Sequence, residues 1–139
     1  MELTQEAETR ILEQFGKATL RAGQRQLIEL VLAGHNALGV LPTGHGKSLC
    51  YQAAAELLGG TSVVVSPLIA LMRDQCESLR QVGICAARFD SSLAPEERSS
   101  VLAQLAGGAL RILFVAPESL ENRELRQALS LLRISLLVV

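Results

Sequence analysis

The stretch Leu41-Pro42-Thr43-Gly44-His45-Gly46-Lys47-Ser48 constrains this chain more than any other. It follows a short apolar run, Ala37 to Leu41, and precedes a helix-forming segment, Ser48 to Leu58, closed by Gly59-Gly60. A glycine-rich turn between a buried strand and a helix can aim successive backbone N–H groups at one phosphate, and the helix adds the positive end of its dipole. Gly44 and Gly46 supply backbone angles that a side chain would block. Lys47 would reach the β- and γ-phosphates as a point charge, and the Ser48 hydroxyl would ligate Mg²⁺. The general pattern has glycine six residues before the lysine, where this chain has Leu41. A bare glycine-rich turn is therefore the competing reading, opposed by the strand–loop–helix setting.

The remaining pattern predicts an α/β fold. Apolar positions at helical spacing run over Glu6 to Phe15, ended by Gly16, and over Gln24 to Ala33, ended by Gly34. Ser62 to Val65 reads as a buried strand, with Ser66 placed to cap a helix and Pro67 at its first position. An amphipathic helix follows over Leu68 to Gln81, then a strand over Ile84 to Phe89. Pro95-Glu96-Glu97 opens a helix ending at Gly107-Gly108, its acids near the positive end of the dipole. Arg111 to Val115 reads as a strand, Leu120 to Leu131 as a helix and Ile134 to Val139 as a final strand. With the run before the phosphate loop this makes about five strands in a mainly parallel sheet, a three-layer α/β/α arrangement with crossover helices.

The 139 residues fit one domain by length. Only 3% are aromatic, so the core is expected to be aliphatic. The net charge of −1 gives no overall basic field, which counts against a nucleic-acid partner unless the basic residues cluster. Cys50, Cys76 and Cys85 lack metal-type spacing and read as reduced, mostly buried thiols of a cytoplasmic protein. The acidic, polar start is not a signal peptide, and no apolar run reaches membrane-spanning length.

Four blocks, in this order, resemble one family. Phe15-Gly16 followed by Leu20-Arg21-Ala22-Gly23-Gln24 is similar to the adenine-recognition motif of RecQ-type helicases of superfamily 2. The phosphate loop continues into Leu49-Cys50-Tyr51-Gln52, as in that family, which also places a bulky apolar residue at the position of Leu41. Ser66 to Gln75 resembles motif Ia, and Phe114 to Leu120 resembles motif Ib. The resemblance covers nearly the whole chain. It implies the first RecA-like lobe of an ATP-dependent 3′-to-5′ DNA helicase acting in the bacterial cytoplasm or nucleoid. Residues 1–34 would be N-terminal helices carrying the adenine motif, and 35–139 the lobe itself, ending before its acidic motif. The partners implied are ATP, Mg²⁺, single-stranded or partly duplex DNA and a second RecA-like lobe of the same parent chain.

Residue by residue, the resemblance gives ATP binding to Arg21, Gln24, Thr43, Gly44, His45, Gly46, Lys47 and Ser48, with Lys47 catalytic and Ser48 on the metal. Gln24 would read the adenine edge with its donor and acceptor, and Arg21 would lie on the base face. Read alone, Gln24 is a solvated helix-start residue. The family often has a stacking aromatic where this chain has Lys17. His45 either reaches a phosphate when protonated or is an exposed loop residue. Ser66, Pro67, Arg73, Gln75, Pro117, Glu118 and Ser119 would touch nucleic-acid phosphates, independently of sequence. Their bland readings are a helix cap, a solvated face and a strand-to-helix turn. Asp90, in a turn where relatives often have Asn, would repel phosphate and is not assigned a contact.

In the family an Asp-Glu-Ala-His motif follows the strand that here is Ile134 to Val139, and completes the Mg²⁺ shell. The resemblance therefore leads us to expect a parent chain that continues with that motif, and no ATP turnover by these residues alone. The strand that would separate the phosphate-loop strand from the final strand is also expected to be missing, leaving an apolar edge and a tendency to associate. Two other functions remain open at this stage. One is an RNA helicase lobe of the DEAD-box type, although that type usually has Gly-Lys-Thr and Pro-Thr-Arg-Glu-Leu-Ala. The other is a non-catalytic module binding nucleotide or single-stranded DNA.

Overall fold

The computed structural model describes every residue except Thr43 and His45. It divides into two compact units, Met1–Leu58 and Gly59–Val139.

The first unit is helical: α1 (Gln5–Phe15), α2 (Ala22–Leu32) and α3 (Lys47–Leu58). Thr4 caps α1 by accepting the Ala7 N–H at 3.1 Å, and Gly16 ends it in the left-handed conformation, φ +65°. Ile11, Ile28, Leu32, Leu49 and Ala53 form the core of this unit, with Phe15 and Leu20 packed against it. Burying each of the larger side chains contributes roughly 1.5–3 kcal/mol. On α3 the small residues Ala53, Ala54 and Ala55 are all buried.

The second unit is an α/β sheet structure. Its strands are β1 (Thr61–Val65), β2 (Ala86–Phe89), β3 (Ile112–Val115) and β4 (Ile134–Val138), all parallel in the order β2-β3-β1-β4. The helices are α4 (Ile69–Gln81), α5 (Pro95–Ala106) and α6 (Arg123–Ser130), the last preceded by a 3₁₀ turn, Pro117–Glu121. Strand side chains alternate between faces. Val63, Ala87, Phe89, Leu113 and Val115 pack with Val101 and Leu105 of α5 and Leu125 of α6. Helix α4 lies along β2. Two hydrogen-bonded caps start helices here: Glu97 accepts the Ala94 N–H at 3.0 Å, and Asn122 accepts that of Leu125 at 3.0 Å. No helix among the described residues is long and apolar enough to cross a membrane.

Four expectations need correction. Among the described residues the sheet has four strands, not five: Ala37–Leu41 forms no strand, and Leu38 and Val40 are 89% and 86% exposed. An apolar run becomes a strand only with a neighbour to pair its backbone, and here it finds none among the described residues. Ser66 does not cap α4, whose N-cap is Leu68; its hydroxyl instead accepts the Leu68 N–H at 3.3 Å in a local turn, so Pro67 precedes the helix. The helix expected over Leu120 to Leu131 is split into the 3₁₀ turn and α6, because Asn122 caps a new helix. The core is not purely aliphatic, since Phe89 and Phe114 are buried in it. The thiols are free, with Cys50 and Cys76 buried and Cys85 exposed.

Candidate nucleotide and nucleic-acid sites

The phosphate loop and the start of α2 are stitched together inside the first unit. Gly44 and Gly46 have φ of +82° and +70°, the left-handed region that glycine enters without strain. Gln24 is buried, at 5% exposure. Its amide nitrogen donates to the Gly46 carbonyl at 3.1 Å, and its amide oxygen accepts the Arg21 N–H at 2.9 Å. A guanidinium nitrogen of Arg21 donates to the Gly44 carbonyl at 3.3 Å. From the other side, the Cys50 thiol donates to the Gly46 carbonyl at 3.8 Å. A Cβ on residue 46 would come within 2.3 Å of the Gln24 amide nitrogen, so this close approach requires glycine.

Lys47 and Ser48 are the first two residues of α3, Lys47 exposed and Ser48 half-buried. Thr43 and His45 lie outside the described residues. Lys17 is exposed just after α1. The donor set is a lysine ammonium, a serine hydroxyl and two glycines at the start of a twelve-residue helix. That chemistry fits a phosphate chain with a hard cation. No cluster of three His, Cys, Asp or Glu side chains among the described residues could hold a metal alone.

In the second unit the segments expected to meet nucleic acid follow the carboxyl ends of adjacent parallel strands. Val65 of β1 pairs with Val115 of β3, and the Ser66 N–H donates to the Val115 carbonyl at 3.0 Å. This brings Ser66 and Pro67 beside Pro117, Glu118 and Ser119 at one end of the sheet. Pro67, Pro117 and Glu118 are exposed, Ser66 is half-buried and Ser119 is buried. Gln75 is half-buried on α4. Arg73, one turn into α4, lines a groove beside β2 with Arg80 and Arg88.

Sequence reasoning missed how Asp90 is held. This carboxylate is 1% exposed and accepts from Arg88 at 2.5 Å, from the Ser92 N–H at 2.8 Å and from the Ser92 hydroxyl. Burial pushes its pKa up, but the hydrogen bonds from Ser92 and Arg88 outweigh that and hold it below the ordinary carboxylate value. An Asp followed two residues later by Ser is a turn signature, and it was the available signal. Burial raises the Cys50 thiol and pushes Cys76 up to about 11.

A glycine-rich loop opening a helix, with parallel strands presenting loops at one end, defines a nucleotide-binding protein of the α/β class. The family model for DEAD/DEAH box helicases matches residues 21–139, and the chain belongs to that family. It is 45% identical to ATP-dependent DNA helicase Q-like 5 of Arabidopsis thaliana, over 89% of this chain and 13% of that protein. It is 38% identical to ATP-dependent DNA helicase RecQ of Haemophilus influenzae, over 90% of this chain and 20% of that one. The RecQ helicase of Bacillus subtilis is 40% identical over 85% of this chain, again 20% of the relative's length. The chain thus spans a fifth or less of these relatives. Among solved structures, the DUF1998 helicase MrfA bound to DNA and AMPPNP superposes with a TM-score of 0.71 at 23% identity, covering 91% of this chain and 19% of that one, a likeness of fold.

Proposed function

We propose that these residues are the ATP-binding first lobe of a RecQ-type, ATP-dependent DNA helicase with 3′-to-5′ polarity, working in the bacterial cytoplasm or nucleoid. The observation that carries this reading is the link from Gln24 to the Gly46 carbonyl. It joins the segment resembling the adenine motif to the phosphate loop, in a chain whose family is helicase.

In this reading Lys47 holds the β- and γ-phosphates by charge, the loop N–H groups cradle them, and Gln24 with Arg21 meets the base. Thr43 and His45 are assigned to the nucleotide by the resemblance alone. Mg²⁺, when bound with the nucleotide, neutralises phosphate charge, and Ser48 is its ligand from this chain. Ser66, Pro67, Arg73, Gln75, Pro117, Glu118 and Ser119 track a strand through its phosphates, without reading bases. A second RecA-like lobe of the same parent chain would close on the nucleotide and convert hydrolysis into stepping. DNA rather than RNA is favoured by Gly-Lys-Ser and Ser-Pro-Leu-Ile-Ala-Leu in place of the DEAD-box forms, and by the DNA helicase names of the relatives.

Strand displacement by the full-length parent tests this. We expect unwinding of a 3′-tailed DNA duplex that needs ATP and disappears in Lys47→Ala. Unwinding restricted to 5′-tailed duplexes, or to RNA, would refute the assignment.

A further inference from the structure

β2 is an outer strand of the sheet, and among the described residues nothing pairs with its second edge. The bonds to β3 use the carbonyls of Cys85 and Phe89, so the alternation of a parallel ladder turns the N–H and C=O of Ala86 and Arg88 outward. A groove of about 450 Å³ runs along this edge between α4 and α5. Its two walls differ in charge. On the α4 side stand Arg73, the residue assigned above to the strand path, and Arg80, with Glu77 the one acid lining that wall; Arg88 of β2 also lines the groove, its guanidinium already paired with Asp90; on the α5 side stand Glu96 and Glu97. The floor is apolar, including Ala87, Leu93 and Val101.

We propose that this edge docks an extended segment of a partner protein, which adds to β2 as a further strand. Side chains of an added strand would point alternately to the two walls. The occupant is therefore a segment with acidic residues at one set of alternate positions, facing α4, and basic residues at the other, facing α5. Along β2 itself nucleic acid is disfavoured, because its uniformly negative backbone would meet Glu77, Glu96 and Glu97; Arg73 is the one lining residue shared with the strand path proposed above. Arg80 guards the edge in the unoccupied protein, because its Nε donates to the Ala86 carbonyl at 3.0 Å. A partner carboxylate would draw that guanidinium aside and open the carbonyl to an incoming N–H.

The test uses a fluorescein-labelled octapeptide of alternating Glu and Lys, with an isomer of four Glu followed by four Lys as control. Anisotropy is expected to show the alternating peptide binding at least about tenfold more tightly than the block isomer. Bound peptide should slow exchange of the Arg88 amide proton, which only a paired strand would cover. Arg80→Glu and Glu96→Lys, on opposite walls, should each weaken binding about fivefold. Glu96 is exposed and forms no ion pair among the described residues, so its variant costs only the small stabilisation of an acid against the α5 dipole, and its unfolding midpoint is checked beside binding. Equal binding of the two peptides, binding of neither, or no protection at Arg88 overturns the proposal. So does a single-stranded oligothymidylate that binds in an Arg80-dependent way and excludes the peptide.

Discussion

The amide nitrogen of Gln24 donates to the carbonyl oxygen of Gly46 across 3.1 Å, tying the first turn of α2 to the phosphate loop 22 residues later. A residue proposed to read a base is thereby also one that positions the loop. Gln24→Ala should weaken Mg-ATP binding by about fivefold, the worth of one neutral hydrogen bond. It should weaken Mg-tripolyphosphate binding too, because the loop loses its tether. Titration calorimetry of both ligands checks this, and an effect confined to ATP would show that Gln24 acts on the base alone.

Gly46→Ala acts on the same contact from the other partner. The new Cβ would displace the Gln24 amide and force an L-residue into a left-handed backbone, costing about 1–2 kcal/mol from the backbone alone. We expect a lower unfolding midpoint in denaturant and loss of nucleotide binding, read by calorimetry on protein shown to be folded.

Much of this was legible in the sequence, where the determinants are local. Gly44 and Gly46 announced a left-handed loop, and Pro95-Glu96-Glu97 announced a helix start, since each signal acts within a few residues. Ala37–Leu41 misled because strand formation depends on a neighbour distant in the chain. Gln24 taken alone looked solvated because its burial depends on a carbonyl in another segment. Arg88, Asp90 and Ser92 are close enough in the chain to mark a turn, but the pairing of Asp90 with Arg88 depends on side-chain directions that the sequence does not carry.

Asp90 makes stability depend on acid. Its folded pKa lies below the ordinary value of 3.8, so its contribution is present above that value and is lost as pH falls through the folded one. Asp90→Asn should cost about 1.5–3 kcal/mol at pH 7. Urea melts of the two proteins should converge below pH 4; a constant difference would contradict this.

The cysteines differ in access. Burial raises Cys50 and pushes Cys76 up to about 11, while Cys85 is exposed. One thiol per folded chain should react quickly with maleimide at pH 7, by mass spectrometry, and Cys85→Ser should remove it. Rapid double labelling would show that the core opens.

β4 lies at the other side of the sheet, where no strand among the described residues covers its outer edge and Leu137 is 64% exposed. Such an edge pairs readily. Sedimentation velocity should show concentration-dependent association of these residues, relieved by Leu137→Lys; a monomer at every concentration would count against it.

The most direct test of the central claim is calorimetric titration of these 139 residues with Mg-ATP, beside Lys47→Ala. The account predicts saturable binding that the variant weakens about ten- to hundredfold, the loss of one charge-assisted contact worth about 1.5–3 kcal/mol. Binding unchanged in Lys47→Ala, or no binding by the folded wild-type chain, would contradict it.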